Sequence, residues 1–232
     1  RLLADYEAAL ESHSSATPRG MLRITAPMVF GRRHVTPMVA QFLARHPEMQ
    51  ADLVLADRNV DLIEDGVDAA VRIGVLPDSA MVARRLGQVR RIVVASPAYL
   101  KRRGTPQRPA ELAAHDLVLS TTARPLPEWR FRHNGRDLAV RFTPRLQLND
   151  VEATLNCVRA GFGIGRFLSY QVADDLKKGK LLRLLEAYEP APLPVHLVLP
   201  SARHMAPRLR VFVEFALDYF AGLEVIQPHA FA

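Results

Sequence analysis

Asp61–Leu100 reads DLIEDGVDAAVRIGVLPDSAMVARRLGQVRRIVVASPAYL, and its punctuation decides the fold class. Asp61–Asp65 makes a helical turn that closes at Gly66, a residue suited to the left-handed conformation at a helix end. Val67–Ile73 is mostly apolar and β-branched, the composition of a buried strand. Gly74-Val75-Leu76-Pro77-Asp78 turns the chain. Met81–Leu86 and Arg91–Ala95 follow as two strands, with Gly87-Gln88 between them as a hairpin-sized break. Ser96-Pro97 then opens a helix, Ser as cap and Pro at the first helical position.

Upstream, Met21–Ala26 is a strand, and Val35, Met38, Val39, Phe42 and Leu43 share one face of a helix that ends before Pro47. Asp52–Ala56 is the next strand. Strand, helix, strand, helix, strand through Ile73 makes two βαβ units, hence a parallel sheet with right-handed crossovers. Further upstream, Leu3, Tyr6 and Leu10 give Arg1–Glu11 one apolar helical face, and Ser12–Gly20 is a small, polar joint where a domain boundary falls.

Downstream, Pro109–Ala113 is a helical turn, Asp116–Leu119 a strand and Ser120–Pro127 a polar loop. Trp129–His133 and Asp137–Phe142 flank Asn134-Gly135, the strongest short hairpin signal. Leu146–Leu148 is a strand, and Asp150 caps a helix running to about Ala160 with Gly161 as its stop. Phe162–Phe167, Leu181–Leu185 and Val195–Leu199 read as strands. Tyr170–Lys178 is helical, and Pro207 opens an amphipathic helix with Leu209, Phe212, Val213, Ala216 and Phe220 inside. The segment after Leu223 lacks periodicity and reads as a loose tail.

The chain of 232 residues is long enough to bury a sizeable core, and no apolar run approaches the ~20 residues of a membrane span. No signal-peptide pattern begins the sequence, and the single Cys157 fits a reducing compartment, so a cytoplasmic location is expected. Cys157 reads either as a small residue packed on its helix or as a redox-sensing thiol. The net charge of +7 invites a nucleic-acid reading, but the arginines are spread along the chain with no aromatic ladder, the pattern of a solvated surface. The eight histidines have no ligand spacing, so neither a metal site nor a cofactor is expected. Gly161-Phe162-Gly163-Ile164-Gly165 follows a helix and lies in a strand, the reverse of a dinucleotide loop. Asp61, Glu64, Asp65 and Asp68 read as helix-dipole acids on a solvated face rather than catalytic carboxylates.

Asp61, Leu62, Ile63, Gly66, Asp68, Ala70, Arg72 and Gly74, then Ala95, Ser96, Pro97, Tyr99 and Leu100, form the pattern DLIxxGxDxAxRxG followed by ASPxYL. That pattern resembles the effector-binding domain of LysR-type transcriptional regulators. The likeness continues through Gly104-Thr105-Pro106, Trp129, Asn149-Asp150, Ala160–Ile164 and Arg210–Phe215. The resemblance implies an α/β fold of two Rossmann-like lobes joined by a hinge, like type 2 periplasmic binding proteins. It places the end of a linker helix and a joint at residues 1–19, lobe I at 20–95 plus 200–222, lobe II at 96–199 and the tail at 223–232. It implies small-molecule effector sensing in the inter-lobe cleft, assembly as a dimer or tetramer, and DNA contact through an N-terminal winged helix-turn-helix that this sequence does not contain. A free-standing solute-binding protein of the same fold is the alternative. Neither reading is an enzyme.

In open α/β sheets, ligands sit beyond the carboxyl ends of the strands. The expected effector-binding residues are therefore Pro27, Met28 and Phe30 after the first strand, Arg72 and Gly74 after the third, Ser96 at the first crossing, Ser120 and Thr121, Asn149, and Ile164 and Gly165 on the opposite wall. Their hydroxyl, amide and guanidinium groups suit a small carboxylate or a polar aromatic. Ser96 and Asn149 have the competing reading of helix caps, Pro27 of a strand end, and Arg72 of an ion pair with Asp68 or another acid.

Overall fold

The computed structural model describes residues 18–57, 62–76, 81–122, 127–200 and 205–231. The linker-helix face of Leu3, Tyr6 and Leu10, the joint up to Thr17, Asp61, and Pro77-Asp78 lie outside those residues. In chain order the strands are β1 Gly20–Ala26, β2 Met49–Leu55, β3 Ala69–Ile73, β4 Val82–Val89, β5 Arg91–Ala95, β6 Leu117–Ser120, β7 Glu128–His133, β8 Arg136–Arg141, β9 Leu146–Leu148, β10 Ile164–Leu168, β11 Leu182–Leu184 and β12 Leu193–Leu199. The helices are α1, continuous through Met28–Phe30, Gly31–Val35 and Thr36–Arg45, then α2 Pro97–Arg103, α3 Val151–Arg159, α4 Ser169–Lys177 and α5 Pro207–Ala221. The chain divides into two compact units: residues up to Gly87 with Val195–Leu223, and Gln88–Pro194 with the segment from Glu224.

The first unit holds a five-stranded sheet in the order β2-β1-β3-β12-β4. β1 lies parallel to β2 from Gly20↔Met49 to Ala26↔Leu55 and parallel to β3 at Ile24↔Ala69, as consecutive βαβ connections require. The second connection carries turns at 62–66 rather than a helix; Gly66 closes them at φ +61°, and the Val67 N–H donates to the Leu62 carbonyl at 2.8 Å. Phe42 meets Phe212 edge-on at 5.2 Å and Phe30 stacks on Phe220 at 5.9 Å, so α1 and α5 close one core. The Gly31–Val35 portion of α1 is a π turn, with the Thr36 N–H donating to the Gly31 carbonyl. Pro37 explains it: a proline ring collides with the carbonyl four residues back in a regular helix, and the wider turn relieves that contact.

The second unit holds the order β11-β5-β10-β6-β9 and the separate hairpin β7-β8. Asn134 and Gly135 take φ 51° and 78°, the paired left-handed residues of a tight hairpin turn, which closes the register at His133↔Arg136. β5 alternates between two cores: Val93 and Ala95 pack with Tyr99, Leu117 and Trp129, while Ile92 and Val94 pack with Leu155, Val158 and Val172. Both faces are covered, which is why this strand reads as a continuous apolar run.

Three expectations change. Gly87-Gln88 is no hairpin; β4 runs straight through it, and β4 and β5 belong to different sheets. The crossings fall at Gly87/Gln88 and Pro194/Val195 rather than 95/96 and 199/200, because β5 hydrogen-bonds to β10 and β11 while β12 hydrogen-bonds to β3. The segment after Leu223 is docked, with Ile226 wholly buried in a short turn and the Phe231 carbonyl accepting from Arg183. A single 3-10 turn of three residues is too short to leave a period in the sequence.

Candidate functional site

In the first unit the carboxyl ends of β1, β2 and β3 bring together Pro27, Met28, Asp57, Arg72 and Gly74. The Met28 N–H donates to Asp57 Oδ1 at 2.9 Å, so one of the free donors at the start of α1 is already engaged. Arg72 is half-buried, and burial lowers the pKa of its guanidinium. Its cross-strand neighbour is His196 of β12, on the same face of the sheet. Burial, then the charge of Arg85, holds the His196 pKa below its ordinary value, which favours a neutral ring; its Nδ1 is buried with no hydrogen-bond partner among the described residues. Gly74 has φ +118° and open space where a side chain would stand. Phe30 is a correction: its ring is wholly buried against Phe220 and belongs to the core of this unit.

In the second unit the carboxyl ends of β6 and β9 lie side by side, pairing Ser120 with Leu148. Ser120 Oγ lies 2.8 Å from Thr122 Oγ1. The Thr121 N–H and hydroxyl both donate to the Leu148 carbonyl, at 2.7 and 3.2 Å, and Thr122 Oγ1 donates to the Asn149 carbonyl at 3.4 Å. Asn149 itself is exposed. The cap of α3 is Asp150, whose Oδ1 accepts from the Ala153 N–H at 2.6 Å, so the capping reading of Asn149 falls away. Ser120, Thr121 and Asn149 thus form one polar edge.

Ser96 does not join them. β5 runs antiparallel to β10, which is parallel to β6, so the carboxyl end of β5 lies at the opposite edge of the sheet from Ser120. Ser96 is buried there as the α2 cap, its Oγ accepting from the Tyr99 N–H at 3.3 Å. Ile164 and Gly165 are corrections too. Ile164 is wholly buried in the core with Leu117 and Trp129, and a Cβ at Gly165 would overlap Phe167 and Val158. Gly163 is needed for a similar reason: a side chain there would strike the Asp116 carbonyl, which accepts from the Ile164 N–H.

Of the acidic cluster, the Asp68 carboxylate serves β1 rather than a helix dipole. Asp68 Oδ2 accepts from the Arg23 N–H at 2.8 Å, and the Asp65 carbonyl accepts from the Arg23 guanidinium at 3.2 Å. Cys157 is half-buried beside the Leu155 and Val158 core, and Arg159, its nearest cation in sequence, is turned to Asp175 at 2.6 Å. Among the described residues no three His, Cys, Asp or Glu side chains gather as a metal site. Sequence reasoning missed His196, Arg91 and Arg166. The last two flank the same carboxyl edge of the second sheet, and only the strand pairing brings them together.

The family model of the LysR substrate binding domain matches residues 15–221. An HTH-type transcriptional repressor of Pseudomonas aeruginosa is 31% identical over 225 residues, covering 96% of this chain and 71% of the relative. An uncharacterized HTH-type transcriptional regulator of Haemophilus influenzae is 31% identical over 206 residues, 88% of this chain and 72% of its own. Among solved structures, the regulatory domain of CrgA from Neisseria meningitidis is 32% identical with a TM-score of 0.75, covering 88% of this chain and all of that one. Full-length AphB of Vibrio cholerae is 25% identical with a TM-score of 0.79, covering 94% of this chain and 76% of that one.

Proposed function

Since the chain belongs to the LysR family of transcriptional regulators, as its substrate-binding domain with a type 2 periplasmic-binding-protein-like fold, we propose that it senses a small organic anion at the carboxyl edge of its first-unit sheet. The observation that carries this reading is the half-buried Arg72 at the end of β3, in register with His196, where a planar guanidinium can hold a carboxylate bidentately. In the first unit Met28 is the apolar contact; in the second, Ser120, Thr121 and Asn149 form a polar edge of their own, whose hydroxyl and amide groups suit a polar ligand. The ligand acts only by its differential affinity for two states of the domain. In the whole regulator, those states set how subunits assemble as dimers or tetramers and how an N-terminal winged helix-turn-helix meets DNA. A regulator of that kind works in the cytoplasm. The matches to HTH-type regulators favour this over a free-standing solute-binding protein.

Titration calorimetry with an acid that stabilises the chain tests the site. Arg72→Ala and Asn149→Ala are each expected to weaken binding about tenfold or more, the loss of one charge-assisted or polar contact, with the far-ultraviolet circular dichroism unchanged. Unchanged affinity in both variants would remove these residues from the site.

A further inference from the structure

Arg23, Arg90, Arg145, Arg159 and Arg183 each reach a carboxylate. Arg166 and Arg91 do not do so among the described residues. Arg166 stands on β10 opposite Val93, and Arg91 is two residues before Val93 on β5, so both side chains rise from the same face of the sheet. The Arg166 guanidinium lies over the indole of Trp129 at 5.2 Å, and its one hydrogen bond among the described residues is a long one, 3.4 Å, to the Arg130 carbonyl. Burial, then the charge of Arg91, lowers the Arg166 pKa to about 9, and burial lowers that of Arg91. Desolvated cations are ordinarily paired, because an unpaired one costs several kcal/mol. Arg166 is such a cation with an accessible edge, and the exposed Arg91 stands beside it on the same face, which leaves an anion's place open.

We propose that Arg91 and Arg166, backed by Trp129, form a second carboxylate-binding place, in the second unit, so that the domain takes organic acids there as well as at Arg72. This rests on the effector-sensing reading and adds the second-unit residues that take an acid group of the ligand. A carboxylate suits the pair because each guanidinium presents a flat fork of donors, and the indole face fixes the plane of one of them. The position agrees with the site already described: Leu168, opposite Arg91, ends β10 at the same carboxyl edge as Ser120 on the parallel β6.

Trp129 is the chain's one tryptophan, so its fluorescence reports on this place alone. The full chain is titrated with malonate, acetate and inorganic phosphate at constant ionic strength, with chloride as reference. Malonate is expected to change the emission saturably. Arg166→Gln, and Arg91→Gln at an exposed position where folding is not at stake, are each expected to raise the midpoint about tenfold. Arg166→Lys, which keeps the charge and loses the fork, should fall between. A response equal to that of chloride overturns the pair, and saturation by phosphate at lower concentration than by malonate overturns the carboxylate assignment. A panel of organic acids is also tested for thermal stabilisation of the chain and of the double variant. Stabilisation that is undiminished in the double variant overturns the assignment and leaves the effector reading standing. A saturable malonate response with no stabilisation by any acid overturns the effector reading and leaves the anion pair.

Discussion

His34 lies in the π turn of α1, its ring 5.0 Å from that of Phe30, and burial followed by the charge of Arg33 lowers its pKa from 6.5 to about 4. The unfolded chain therefore takes up a proton between pH 6.5 and 4 that the folded chain resists. Stability from this residue is complete above pH 6.5 and is lost as the pH falls through that window, by up to about 3 kcal/mol and less for a half-buried ring. Urea midpoints measured from pH 7 to 4 should fall, and His34→Gln should flatten the decline; an equal slope in the variant would contradict it. Glu189 is a second residue of consequence. Its carboxylate receives the Arg183 fork at 2.7 and 2.8 Å and has Arg90 at 3.8 Å, with its side chain 6% exposed. Glu189→Ala leaves that cation half-stranded and is expected to cost about 3 kcal/mol by denaturant unfolding, whereas a loss within 0.5 kcal/mol would mean the pair is merely superficial.

Local chemistry governs several elements. The Asp150 cap and the Gly161 stop at φ +79° bound α3, so Asp150→Ala should lower stability by about 1 kcal/mol, measured as a shift in the urea midpoint without a change in slope. These bounds were legible in the sequence, as was the Asn134-Gly135 hairpin, because a cap or a two-residue turn acts on neighbours in the chain. What the sequence did not show depends on pairing between distant strands. Ser96 looks equivalent to Ser120 as a polar residue ending a strand, yet the reversed direction of β5 puts the two at opposite edges of the sheet. Phe30 and Ile164 were legible as apolar, and apolarity does not tell a cavity wall from a packed core. Arg166 had no signal at all, since its meaning comes from the indole of Trp129, 37 positions earlier, lying beneath it.

At the scale of the molecule, the first unit is assembled from two separated stretches of sequence, with β12 and α5 returning to it after Pro194 and before the segment from Glu224 goes back to the second unit. Leu209, Phe212, Val213, Ala216 and Phe220 are buried on the inner face of α5. At about 2 kcal/mol for each of the larger four, roughly 8 kcal/mol rests on this helix, comparable with the whole stability of a domain. A chain ending at Pro200 should therefore lose cooperative unfolding of the first unit in a melting experiment, and retention of a full transition would contradict that assembly. On the proposed function, an organic acid bound by the chain at about 100 times its dissociation constant is expected to stabilise it by about 2.7 kcal/mol. The decisive measurement is a thermal melt of the chain with a panel of small organic acids, each beside its uncharged amide at the same ionic strength. At least one acid is predicted to raise Tm by about 5–10 °C while its amide does not; stabilisation by the amide to the same extent, or by no acid in the panel, would contradict the account.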